Sequence, residues 1–78
     1  MVKVLLFAKL RDITGLPELI IYSDSLQSCI IKFSQMYPDI KEELHKCIYV
    51  LNQKQIDDLN TSLVDTDILA IIPPVSGG

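Results

Sequence analysis

The segment Pro73-Pro74-Val75-Ser76-Gly77-Gly78 places two of the chain's three glycines at its last two positions. Glycine lacks a Cβ, so Gly77 and Gly78 can enter a channel too narrow for other residues and adopt backbone conformations closed to them. Pro73 and Pro74 stiffen the opposite end, because each fixes φ at about −65° and Pro74 pushes Pro73 toward extended geometry. The four residues after Pro74 reach about 13 Å at roughly 3.3 Å each. The design is a probe with a stiff root, a slim tip and an α-carboxylate at its point. A carboxylate is a poor electrophile until it is activated, for instance as an acyl-adenylate made from ATP. Attack by sulfur then leaves a thiocarboxylate, whose sulfur is a strong nucleophile.

No other residues compete strongly for a chemical role. The sequence has no glycine-rich phosphate loop, no paired-cysteine or His-x-x-x-His metal spacing and no nucleophile–base–acid set, so no metal site is expected. His45 is the single histidine, and its neighbours Glu42, Glu43 and Lys46 suggest a solvated helix end. Asp57-Asp58 and Asp65 with Asp67 could pair for acid–base work. Without an accompanying Ser, His or Lys they read as solvated turns. Cys29 and Cys47 are too few for a disulfide framework or a four-thiolate cluster, and read as buried, inert thiols.

These residues need a folded support, and 78 residues with 49% hydrophobic and 22% charged side chains suffice for one small domain. No apolar run reaches the length of a membrane span, and the short apolar run Val4 to Ala8 is flanked by lysines without a cleavage-site pattern, so a cytoplasmic protein is expected. The net charge of −3 disfavours nucleic acid and anionic membrane as partners. Its distribution is uneven. Acids and bases balance through residue 49, and the whole excess comes from Asp57, Asp58, Asp65 and Asp67 against Lys54.

Val2 to Ala8 reads as a strand, Asp12 to Gly15 as a turn in which Gly15 can take a positive φ, and Glu18 to Tyr22 as the second arm of a hairpin. Ser23, Asp24 and Ser25 offer helix N-caps before Leu26, Ile30, Phe33 and Tyr37, whose spacing marks one helix face. Tyr37-Pro38 ends that helix, and a short second helix or turn runs through Asp39 to Lys46. Cys47 to Leu51 is a third strand that stops at Asn52-Gln53-Lys54-Gln55. Asp57 to Thr61 is loop, and Ile68 to Ile72 is the last strand, closed by Pro73. The order predicts an α+β fold with one main helix on one face of a mixed sheet. The first and last strands are apolar on both faces, more than one helix can cover. Either a central strand is buried all round, or the second face docks a partner.

Two stretches carry a family resemblance: Val2 through Gly15 (VKVLLFAKLRDITG) and Ile71 through Gly78 (IIPPVSGG). In these the chain resembles the small subunit of molybdopterin synthase, the MoaD-type sulfur carriers, over nearly its whole length. PPVSGG is the specific part. The resemblance implies a ubiquitin-like β-grasp fold over residues 1–73 with a flexible C-terminal tail over 74–78. It implies that Gly78 is adenylated by an E1-like activating enzyme using ATP and converted to a thiocarboxylate, with Gly77 keeping the approach narrow. The tail then donates sulfur to cyclic pyranopterin monophosphate in the active site of a large catalytic subunit, within a heterotetramer of two small and two large subunits. Phe7, Ile72, Pro73, Pro74, Val75 and Ser76 are the partner-binding residues on this reading. No cofactor is held apart from the covalent adenylate and thiocarboxylate.

The chain departs from its relatives in two places. Thr66-Asp67-Ile68 stands where Gly-Asp-Glu is common, so a turn without a positive φ at Thr66 is expected. Gln55 occupies a loop position that is commonly apolar, so that corner is more polar. The competing readings are a sulfur carrier for thiazole synthesis or tRNA thiolation, and a plain β-grasp interaction module with an inert tail.

Overall fold

The computed structural model describes residues 1–74. Its strands are β1 (Val2–Leu6), β2 (Glu18–Ile21), β3 (Ile48–Leu51), β4 (Lys54–Ile56) and β5 (Ile68–Ile72). Its helices are α1 (Lys9–Thr14), α2 (Leu26–Met36) and α3 (Lys41–Leu44), with a 3₁₀ turn over Pro38–Ile40. The strands form one sheet in the order β2-β1-β5-β3-β4. β1 and β5 run parallel at its centre, with Leu6 opposite Ile71, and the other pairs are antiparallel.

Period-two alternation decides which side chains enter the core. Val2, Val4 and Leu6 of β1 and Leu69 and Ile71 of β5 are fully buried against Leu26, Cys29 and Phe33 of α2. The Ser25 hydroxyl caps α2 by accepting the Ser28 N–H at 3.1 Å. The buried stripe runs through Cys29 rather than Ile30, which is only partly buried, so the face expected from Leu26, Ile30, Phe33 and Tyr37 is rotated slightly. Tyr37 still packs on it, edge-on to Phe33 with ring centroids 5.9 Å apart.

Two elements depart from the sequence expectation. The turn expected at Asp12 to Gly15 is instead the C-terminal end of α1, which stops where Gly15 takes φ 74° and its N–H donates to the Arg11 carbonyl at 2.7 Å. The polar run after Leu51 is a two-residue hairpin loop leading into β4: Asn52 and Gln53 have φ of 50° and 73°, the signs a tight hairpin requires. Thr66 avoids positive φ, as expected. Its turn closes through the Asp67 N–H donating to the Val64 carbonyl at 3.0 Å.

Asp67 corrects the reading of the acidic turns as solvated. It is 8% exposed. Its carboxylate accepts from the Val64 N–H and the Asn52 side-chain amide, both at 2.8 Å, and those two bonds hold its carboxyl below the ordinary aspartate value. It ties the hairpin loop to the start of β5. Asp58 is also structural, accepting the Asn60 N–H at 2.9 Å, while Asp65 lies at the surface and pairs with the N-terminal amine.

Candidate functional site

The parallel pairing of β1 and β5 brings the ends of two distant segments together. Phe7 follows β1 directly, and Ile72, Pro73 and Pro74 close β5, so the four come to line one groove of about 720 Å³. Phe7, Ile72 and Pro73 are half-buried and Pro74 is exposed, which makes an apolar rim from which the chain leaves the fold. Val75, Ser76, Gly77 and Gly78, the remaining site residues named from the sequence, lie outside the described residues.

Phe7 is held by the helix that follows it. Arg11 turns back from α1 so that its Nε donates to the Leu6 carbonyl at 2.6 Å. Its guanidinium carbon then lies 5.5 Å from the centre of the Phe7 ring, within cation–π range. The opposite wall is polar: Lys9 pairs with Glu43 at 3.0 Å, with Lys46 beside them. The hydrogen bond from Lys9 leads the causes that lower the Glu43 carboxyl below its ordinary value. None of Lys9, Arg11, Glu43 or Lys46 was singled out from the sequence as a site residue. Only the four-residue spacing of Phe7 and Arg11 offered a signal, and it required knowing that α1 is a helix.

Ile72 also belongs to the sheet face that α2 leaves open. Leu5, Ala70 and Val50 stand side by side across β1, β5 and β3, and Ile72 stands opposite Ile48. Ile20, Ile48 and Ile68 are 46%, 43% and 43% exposed. The doubly apolar strands therefore have one face in the core and one uncovered, where the apolar residues share the surface with the Lys3–Glu18 pair. An uncovered face of this kind is a candidate interaction surface.

The remaining candidates do not line this groove. His45 is exposed at the end of α3. Cys29 is buried as expected and Cys47 only partly so, and burial pushes both thiols up to about 11, which favours the protonated form near neutrality. Among the described residues no group of His, Cys, Asp and Glu could hold a metal ion, and no helix is long and apolar enough to cross a membrane.

A mixed five-stranded sheet with central parallel strands, one principal helix across it and the C-terminal strand at its centre defines the ubiquitin-like β-grasp class. Within that class the chain belongs to the ThiS family, whose model matches residues 4–78. It is 38% identical over 81 residues to the molybdopterin synthase sulfur carrier subunit of Arabidopsis thaliana, covering 99% of this chain and 82% of that one. The protein of the same name from Dictyostelium discoideum is 36% identical, with coverages of 97% and 94%. Among solved structures, small archaeal modifier protein 1 from Methanosarcina acetivorans matches with a TM-score of 0.88 at 30% identity, covering 99% of this chain and 95% of that one. A chain in the complex of subunits 1 and 2 of the molybdopterin-converting factor from Helicobacter pylori matches with a TM-score of 0.74 at 32% identity, with coverages of 99% and 97%.

Proposed function

We propose that this chain is the sulfur-carrier subunit of molybdopterin synthase. The observation that carries the reading is its near full-length similarity to curated subunits of that name. The apolar rim at the exit of β5 supports it, because a carrier needs a docking surface at the root of its reactive segment.

The chemistry begins at the Gly78 carboxylate. An oxygen of that group attacks the α-phosphorus of ATP in an E1-like activating enzyme, and pyrophosphate leaves. A sulfur nucleophile supplied by a donor then attacks the acyl carbon, AMP departs with its oxygen, and a thiocarboxylate remains. In the active site of the large catalytic subunit that sulfur attacks a side-chain carbon of cyclic pyranopterin monophosphate, and an oxygen substituent of that carbon leaves as the C–S bond forms. Transfer of the sulfur and hydrolysis of the acyl link restore the carboxylate, and two such transfers complete a dithiolene. Gly77 keeps the approach to the reacting carbon narrow, and Pro73 and Pro74 give it a stiff root. Phe7, Ile72, Val75 and Ser76 contact the partner subunit, in an assembly of two small and two large chains.

Reconstitution tests the reading. The thiocarboxylated chain, mixed with the large subunit and cyclic pyranopterin monophosphate, is expected to yield the dithiolene product and regenerate the carboxylate. A chain that is thiocarboxylated but gives no pterin product serves another sulfur acceptor, and the molybdopterin assignment fails.

A further inference from the structure

Ala8 has φ 50° and ψ −121°. With the Leu10 N–H donating to the Phe7 carbonyl at 3.0 Å, residues 7–10 form a tight turn with Ala8 first of its two central residues. Those angles are the type II′ geometry, a position that glycine dominates because a Cβ there crowds the backbone. The chain supplies glycine at the αL position of Gly15, yet keeps a methyl group at Ala8. Among the described residues nothing accounts for that methyl: Ala8 is exposed and lies outside the core cluster. Ala8 lies between Phe7 and Lys9 on the wall of the groove that Ile72, Pro73 and Pro74 also line.

A strained backbone without internal compensation points to a use outside the fold. We propose that Ala8 is a partner-contact residue: its methyl completes the apolar rim with Phe7, Ile72 and Pro73, and is buried by the large catalytic subunit when the small subunit docks. This deepens the reading above and rests on it. The choice of occupant follows from continuity with the tail root, because a protein that takes in the residues after Pro74 must close over the rim from which they leave. The residue type is thus a compromise in which complex formation gains what the free domain loses.

The test compares the full chain with Ala8→Gly and Ala8→Ser, by thermal unfolding and by calorimetric titration against the large subunit. Ala8→Gly releases the strain but loosens the unfolded chain, and Tm is expected to rise by roughly 4 °C. The same variant is expected to weaken Kd for the large subunit about four-fold, the loss of one buried methyl. Ala8→Ser keeps a Cβ in the same turn, so its Tm should stay near that of the unsubstituted chain, while burying its hydroxyl in the apolar rim is expected to weaken Kd. An Ala8→Gly chain that binds as tightly as the original overturns the proposal, and so does one whose Tm fails to rise. If only adenylation by the activating enzyme suffers, the contact belongs to that enzyme and the proposal is again overturned. Failure of the unsubstituted chain to bind the large subunit removes the underlying reading itself, a result distinct from these.

Discussion

Asp67 shows how much one carboxylate can organise in a small fold. Its two oxygens accept from the Val64 N–H and the Asn52 amide, and Asn52 in turn accepts the Ile68 N–H at 2.9 Å. Asp67→Asn replaces one acceptor by a donor opposite the Val64 N–H, and is expected to cost about 2 kcal/mol in urea unfolding at pH 7. The folded carboxyl titrates below its ordinary value of 3.8, so the stabilisation is complete above that value and is lost as pH falls through the lower, folded value. The gap between the two chains should therefore narrow below about pH 4; a gap independent of pH would refute the assignment. In sequence Asp67 is one acid among four near the C-terminus, and only the fold separates it from exposed Asp65. Phe7 is the reverse case, since its place on the docking surface was implied by resemblance before the groove was known. Phe7→Asp puts a carboxylate under Arg11, which limits the damage to the fold. It is expected to weaken binding to the large subunit about thirty-fold, as the loss of an aromatic anchor does. Unfolding that is impaired as much as binding would place Phe7 in the core.

At the scale of elements, periodicity made the long pieces legible and tight turns hid the short ones. The strands at Val2–Leu6, Glu18–Ile21, Ile48–Leu51 and Ile68–Ile72 and the helix at Leu26–Met36 follow from apolar spacing and from the stops at Pro38 and Pro73. Helix α1 was not legible, because Asp12, Thr14 and Gly15 suggest a turn and Leu10 is its only fully buried residue. Strand β4 has three residues, two of them polar and exposed, so its pairing with β3 supplies the pattern that its sequence lacks. The hairpin loop joining them has Gln53 at φ 73°, where glycine is favoured. Gln53→Gly is expected to raise Tm by about 4 °C, corresponding to relief of roughly 1 kcal/mol. A lower Tm would mean that the Gln53 side chain contributes more than its backbone conformation costs.

For the whole molecule, the consequence of this topology is an asymmetric sheet. One face packs α2, while the other presents Leu5, Val50, Ala70 and Ile72 beside exposed Ile20, Ile48 and Ile68. The excess of apolar strand residues in the sequence reflected that second face, although no single residue identified it. The central parallel pair then places Phe7 beside the exit of the last strand, on one groove with Ile72, Pro73 and Pro74. On the proposed function the folded domain is a handle, so deleting Gly78 should abolish sulfur transfer while circular dichroism and Tm remain those of the intact chain. The most direct measurement is the intact mass of the chain after incubation with ATP, an E1-like activating enzyme and a sulfur donor. The expected result is a mass increase equal to the exchange of one oxygen for one sulfur, located by fragmentation at Gly78. An unchanged mass with a cognate enzyme that is consuming ATP would contradict the sulfur-carrier function.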